Sequence, residues 1–248
     1  MCGKEIFSRA ELLLGERGID ILHSRRVAVF GIGGVGSYVM EGLARSGIGA
    51  LDLIDCDTVS ETDINRQIIA LHSTIGLPKT QIAAARVLDI NPSCNVVTHD
   101  VFFGPETEDQ FDFSKYDYVV DAIDTVSGKL ALIQATKKAG IPIISCMGTG
   151  NKLDPIAFEV SDIYKTSGCP LAKVMRKKCR ELGIDSLKVV FSNEEPLNAV
   201  AETENGRHSP GSVSFVPSVA GMIIVGEVVK DLIANTKPET LYNETARE

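Results

Sequence analysis

The stretch Val27-Ala28-Val29-Phe30-Gly31-Ile32-Gly33-Gly34-Val35-Gly36-Ser37 decides the fold of this chain. Four apolar residues in a row, with no polar alternation, read as a strand covered on both faces. Gly31, Gly33 and Gly36 then fall in the spacing Gly-x-Gly-x-x-Gly, with Gly34 between them. Such glycines permit a tight turn and bring backbone N–H groups close to a ligand. An Ala- and Gly-rich helical segment over 35–46 leads to a second strand-like run, Leu51-Asp52-Leu53-Ile54. Asp55 ends that run 19 residues beyond Gly36, where an acid can hydrogen-bond ribose hydroxyls. Strand, turn, helix, strand and acid in that order predict a nucleotide-binding unit. They do not choose the nucleotide, since NAD, FAD, S-adenosylmethionine and ATP all use such turns.

The rhythm continues outward. Strands are expected at 95–99, 118–120 and 141–146, with helices at 79–88 and 126–139 between them. This alternation predicts an α/β fold of Rossmann-like, doubly wound type with a mostly parallel sheet. Beyond Gly150 it loosens into a basic helix at 170–182, a strand at 188–191, a polar and mobile loop at 193–210, and a helix opened by Pro217 and running to Ala234. With no repeat and no long linker, one domain is expected: a nucleotide-binding core at 1–150 and an α+β extension at 151–248.

Composition sets limits. The chain has 248 residues, 44% of them apolar and 23% charged, which marks a globular class. A formal net charge of -8 argues against a general nucleic-acid coat while leaving room for a local basic patch. Six cysteines without a Cys-x-x-Cys pair favour a reducing cytoplasm and give no expectation of structural zinc. No secretory signal is apparent at Met1-Cys2-Gly3-Lys4-Glu5. Residues 209–226 carry no charge, yet they include Pro210 and Pro217 and are followed at once by Glu227; a buried helix is expected there, not a membrane span.

Further candidates lie at or after strand ends, where open α/β sheets hold ligands. They are Asp55 and Asp57, then Asn65-Arg66-Gln67, then Lys79, and after the strand at 118–120, Asp121 and Asp124. Two cations near several acids suit triphosphate oxygens and Mg²⁺, whereas hydride transfer has no need of them. Singly each has a plain structural explanation: a surface ion pair for Arg66, a first helical turn for Lys79, a helix N-cap for Asp124.

Taken together, these motifs resemble the ubiquitin-activating-enzyme-like adenylating enzymes. The resemblance rests on the glycine turn, Asp55-x-Asp57, Asn65-Arg66-Gln67, Gly76-x-x-Lys79 and Asp121-x-x-Asp124, and spans about residues 5–150. It implies ATP and Mg²⁺ as cofactors, Asp55 at the ribose, Arg66 and Lys79 at the phosphates, and Asp124 as the acid supporting the metal. It also implies that Arg9 is inserted into the site of a partner subunit, hence a homodimer. Asp63 departs from the pattern, which often has asparagine there.

Within that family the chain resembles the branch that dehydrates threonylcarbamoyladenosine on tRNA. The marks are Arg45-Ser46-Gly47-Ile48-Gly49, the run Met147 to Pro155, and Asp162-Ile163-Tyr164-Lys165-Thr166. This likeness implies ATP-dependent cyclisation of N6-threonylcarbamoyladenosine at position 37 through carboxylate adenylation. Lys165, Lys173, Arg176, Lys177, Lys178 and Arg180 offer a basic surface for tRNA on an acidic protein. The alternative is adenylation of the C-terminal glycine of a small ubiquitin-like sulfur carrier. A cysteine desulfurase or sulfur-acceptor partner also stays open, with Cys169 the candidate thiol and Cys146 expected in the core.

Overall fold

The structure is a computed structural model and describes residues 5–197, 200–202 and 208–234, with side chains described for 5–197 and 210–234. In chain order, α1 (Ser8–His23) precedes β1 (Arg26–Phe30), α2 (Gly36–Arg45), β2 (Ala50–Ile54), α3 (Lys79–Ile90) and β3 (Asn95–His99). Then come β4 (Tyr118–Asp121), α4 (Val126–Ala139), β5 (Ile143–Cys146), β6 (Phe158–Asp162), α5 (Pro170–Glu181) and β7 (Lys188–Ser192). The described chain ends with β8 (Val200–Glu202), β9 (His208–Pro210) and α6 (Phe215–Ala234).

Seven strands form one sheet in the order β3-β2-β1-β4-β5-β7-β6. All neighbours are parallel except β6, which runs antiparallel to β7 at the edge. The expected doubly wound sheet is therefore present, and β6 and β7 extend it from the C-terminal part of the chain. Alternate residues of β1 enter opposite cores. Val27 and Val29 join α2, α3 and α6 residues such as Met40, Val87 and Val225. Ala28 and Phe30 join Leu132 of α4, Met175 of α5 and a cluster of Phe103, Phe111 and Phe113. This two-sided burial explains why the inner strands are near-continuous apolar runs.

The uncharged run at 209–226 becomes largely α6, whose inner side is buried against the sheet and α2. A Cβ on Gly42 would lie 2.6 Å from Val225 Cγ2, so the two helices approach closely at that glycine. Lys188 of β7 grips the far end of α6 through Glu227 at 2.6 Å and Asp231 at 3.0 Å, and the Tyr118 hydroxyl donates to Asp231 at 2.7 Å. Among the described residues no helix is long and apolar enough to cross a membrane.

One strand was missed and two expectations are corrected. The edge strand β6 was not anticipated, because in Phe158-Glu159-Val160-Ser161-Asp162 the alternation of a half-exposed strand holds for only four residues and no apolar run supports it. The segment 193–210 is not wholly a loop, since β8 and β9 pair as an antiparallel hairpin; residues 198–199 and 203–207 lie outside the described residues. The last helix starts at Phe215, so Pro217 falls within its first turn and does not open it.

Candidate nucleotide site

Strands β1, β2 and β4 end level with one another: Phe30 pairs with Ile54 on one side and Asp121 on the other. Strand order reverses between β1 and β4, so the loops that follow them part and open a crevice at their carboxyl ends. Gly31, the first residue past β1, has φ 89° and donates its N–H to Ile54 O at 2.8 Å. A Cβ on Gly31 would lie 2.6 Å from Ala122 O, and one on Gly36 only 1.7 Å from Gly31 O. The protein's own backbone therefore requires glycine at both ends of the turn. Gly33 is different: a Cβ there would meet nothing nearer than Gln67 Nε2 at 4.0 Å. The open space at Gly33 is room for a ligand against the start of α2, where backbone amides and the helix dipole favour an anion.

Asp55 braces this turn. Its Oδ2 accepts the Ile32 N–H at 2.6 Å and its Oδ1 the Asp57 N–H at 2.8 Å. Burial pushes the Asp55 carboxyl above the ordinary range, against those two amide bonds and the nearby Lys79 charge. Each oxygen keeps a further lone pair that can accept a ribose hydroxyl. The ligand atoms of Asp55, Cys56 and Asp57 all lie within 4.8 Å of one another. The Ile32 and Asp57 amides donate to Asp55 and the Lys79 ammonium to Asp57, so N–H donors organise these two acids.

The phosphate candidates converge on the same side. The Lys79 ammonium, on the first residue of α3 and 5% exposed, lies 3.1 Å from Asp57 Oδ2 and 3.7 Å from Asp63 Oδ2. Burial opposes its charge, but Asp55, Asp63 and Asp57 outweigh burial and raise it above the usual lysine value, so it stays cationic. Arg66 donates to Thr62 O at 2.7 Å, Asn65 Oδ1 at 3.0 Å and Asp63 Oδ1 at 3.3 Å. Asn65 in turn donates to Ser212 O at 3.0 Å, tying the motif to the chain before α6. Pro217 of α6 stands 3.3 Å from where a Cβ on Gly34 would lie, so α6 walls this side of the turn.

Asp124 follows β4 across the crevice. It is exposed and has no hydrogen bond or ion pair among the described residues. It is not a helix cap, because Thr125 holds that position in α4. A free, exposed carboxylate fits a hydrated Mg²⁺, which keeps most of its waters and takes few protein ligands. Its loop is held from below by a buried ion pair. Asp121, fully buried, and Lys129, 1% exposed, are 3.0 Å apart. Lys129 also donates to Cys146 O at 2.7 Å, and Asp121 Oδ1 accepts the Ile123 N–H at 3.1 Å. The Ser145 hydroxyl completes the pair.

Two buried polar atoms at this crevice, Gln67 Oε1 and Thr125 Oγ1, have no hydrogen-bond partner. Buried polar groups are normally satisfied, so both are exceptions to that rule in the segments that flank the turn. Sequence reasoning noted Asp63 only as a departure from the family pattern, without a role, and did not single out Thr125 or Lys129. Only the departure at Asp63 left a signal; Lys129 looks like any solvent-facing lysine in a helix until the packing is known.

Some expected residues fall elsewhere. Arg9 lies exposed on α1, two residues after Phe7, whose ring packs against His23 and beside the Gly47 turn that precedes β2. That turn is at the opposite end of the strands from the crevice. Cys169 is 3% exposed, which corrects its reading as a reactive thiol: its sulfur is not open to a partner. Cys146 is in the core as expected, with burial pushing its thiol up to about 12. Cys56 is the exposed cysteine among the described residues. On α5, Lys173, Lys177, Lys178 and Arg180 are exposed, as is Lys165 before it. Arg176 is not part of that surface, because it turns inward and donates to Thr166 O at 2.8 Å.

The glycine turn at a switch point, the two cations at its side and the free acid across it match a known pattern. The model of the ThiF family matches residues 7–247. The chain belongs to the ThiF family. Among similar proteins, the tRNA threonylcarbamoyladenosine dehydratase of Bacillus subtilis is 45% identical over 92% of this chain and 94% of its own length. The enzyme of the same name from Escherichia coli is 34% identical over 93% of this chain and 94% of its own length. A crystal structure of the E. coli enzyme in complex with AMP superposes with a TM-score of 0.85, covering 93% of this ThiF-family chain and 95% of that one. A second, in complex with ATP, matches equally well. The seven-stranded Rossmann-like sheet described above is thus the architecture of these relatives.

Proposed function

We propose that this chain is an ATP-dependent tRNA threonylcarbamoyladenosine dehydratase, which adenylates the threonyl carboxylate of the nucleoside at position 37 and closes it into a cyclic product. The observation that carries this reading is the meeting of the Gly33 space, the Arg66–Lys79 pair and the unpartnered Asp124 around one crevice, in a chain 45% identical to a protein of that name. Asp55 would hold the ribose, the turn and α2 the α-phosphate, and Arg66 with Lys79 the outgoing pyrophosphate. Mg²⁺, held by Asp124, would supply charge neutralisation at the phosphate oxygens.

The residues of this chain contribute alignment and electrostatics. The threonyl carboxylate attacks the α-phosphorus and expels pyrophosphate, whose growing charge meets Lys79 and Arg66. The neighbouring carbamoyl group then attacks the acyl carbon and expels AMP, which carries away the carboxylate oxygen. The net change is loss of one water from the nucleoside. Because the second attack is intramolecular, holding both groups in one geometry supplies most of what it requires.

A homodimer belongs to this reading. Arg9 is anchored near the strand end opposite its own crevice, and five-residue strands separate the two ends by about 16 Å. An arginine there reaches a site more readily on a second copy than on its own. Leu12 and Leu13 of the same helix are 86% and 87% exposed, an apolar pair that a partner subunit would cover. The exposed lysines of α5 supply the surface for tRNA phosphates, with salt-sensitive affinity.

The test is to incubate the protein with ATP, Mg²⁺ and tRNA bearing threonylcarbamoyladenosine, digest the tRNA, and weigh the nucleosides. A product lighter by one water is expected. Its absence, together with pyrophosphate exchange that depends on a small protein with a C-terminal glycine, would replace this reading with activation of a carrier protein.

A further inference from the structure

Asp63 stands where the resemblance leads to asparagine, and its surroundings in this chain are unusual. The side chain is buried, and every neighbour of its two oxygens is a donor. Oδ1 accepts from Gln67 Nε2 at 2.7 Å and from Arg66 Nη2 at 3.3 Å. Oδ2 accepts the Ser60 N–H at 3.1 Å and lies 3.7 Å from the Lys79 ammonium. One carboxylate therefore touches both cations assigned to the phosphates, and also the glutamine whose Oε1 is left unpartnered beside the turn. An asparagine could not fill all four places, because its amide nitrogen would face either the Ser60 N–H and the Lys79 ammonium or, turned over, the Gln67 and Arg66 donors.

We infer that Asp63 is a positioning residue with a charge of its own: it holds Arg66, Gln67 and Lys79 in their ligand-ready places before nucleotide arrives, and it weakens the pull of those cations on the outer phosphates. The first effect follows from the hydrogen bonds and the second from Coulomb's law. A negative charge within 4 Å of two cations lowers the field they send into the crevice, and burial limits screening of that effect. The device trades nucleotide affinity for readiness of the site and for easier release of pyrophosphate.

This inference rests on the reading of Arg66 and Lys79 as phosphate ligands, so the test separates the two. The dissociation constants of ATP, ADP and AMP are measured by calorimetry with Mg²⁺ at low and at high salt, for the full chain and for Asp63→Asn, Asp63→Ala, Arg66→Ala and Lys79→Ala. Melting temperatures confirm that each variant is folded. Asp63→Asn is expected to bind ATP about threefold to tenfold more tightly at low salt, ADP by less and AMP hardly at all, with the gain shrinking as salt rises. Asp63→Ala removes the same charge but also the hydrogen bonds, and is expected to lose at least about tenfold in turnover, while the asparagine variant loses less. Equal shifts for all three nucleotides, or no shift in Asp63→Asn, would overturn the inference, since a merely structural role makes no distinction by phosphate number. If Arg66→Ala and Lys79→Ala weaken ATP binding while Asp63→Asn is silent, the inference alone fails. If those two variants bind ATP as the parent does, the phosphate reading fails and takes the inference with it.

Discussion

Replacing Lys129 by methionine tests how the crevice is built. The lysine is 1% exposed and its ammonium meets both oxygens of Asp121 at 3.0 Å, Cys146 O at 2.7 Å and Ser145 Oγ at 3.4 Å. Methionine fills much of the volume but leaves the Asp121 carboxylate buried with only the Ser145 hydroxyl and the Ile123 N–H for company. Removing one partner of a buried ion pair costs about 3–5 kcal/mol. For a chain of this size each kcal/mol lowers the melting temperature by roughly 2–4 °C, so a fall of about 6–20 °C is expected. Urea unfolding of Lys129→Met, Asp121→Asn and the double variant closes a thermodynamic cycle. Because the two residues touch, their losses should fall short of additive by about 1–3 kcal/mol. The folded fraction of Lys129→Met should also form AMP more slowly, since Asp124 is only three residues along the same loop. A melting shift under about 2 °C, or strictly additive losses, would refute the view that this pair sets the loop.

Further expectations follow from the same geometry. Asp124→Ala and Arg66→Ala should each cut AMP formation by about 10²–10³-fold with little change in melting temperature, and parental turnover in either would remove that residue from the site. Mixing Arg9→Ala with Asp124→Ala subunits should restore part of the activity through hybrid dimers; no recovery despite demonstrated subunit exchange would count against a role for Arg9 across the interface. Glu41 supplies a pH dependence. Burial raises its carboxyl, but hydrogen bonds from Arg86 at 2.6 Å and Arg45 at 2.8 Å, with their charges, bring it below the ordinary glutamate value. A carboxyl lowered in the folded state stabilises above its unfolded value and loses that contribution as pH falls through the lowered one. Glu41→Gln should therefore melt below the parent at neutral pH and converge with it in acid, and a constant gap across the acid range would contradict this.

The sequence made the inner sheet legible because two independent signals agreed there. The runs at β1, β2 and β4 are near-continuously apolar, as burial on both faces demands, with Asp52 the one charged residue inside them, and the glycines and acids fall at their ends. The outer elements lacked such agreement. β6 is half-exposed at an edge, so its composition does not differ from a loop's, and three-residue strands such as β8 and β9 are too short to show a period. Charged residues misled in both directions: Arg176 reads as surface and turns inward to Thr166, while Lys129 reads as solvated and is a core ion-pair member. Neither is knowable before the partner is placed. The crevice was legible as a set of motifs, whereas the bracing of Asp55 by backbone amides and of both cations by Asp63 came from the fold.

The use of ATP for adenylation is tested most directly by following one oxygen atom. With heavy oxygen in the threonyl carboxylate of the modified nucleoside, a single turnover of the full chain with ATP and Mg²⁺ should yield the cyclic nucleoside, pyrophosphate and AMP. The label lost from the carboxylate should appear in the phosphoryl group of AMP, one atom for each ring closed. Label recovered in inorganic phosphate alongside ADP would instead mean that the carboxylate attacks the terminal phosphorus, contradicting adenylation at the Gly31–Gly36 turn.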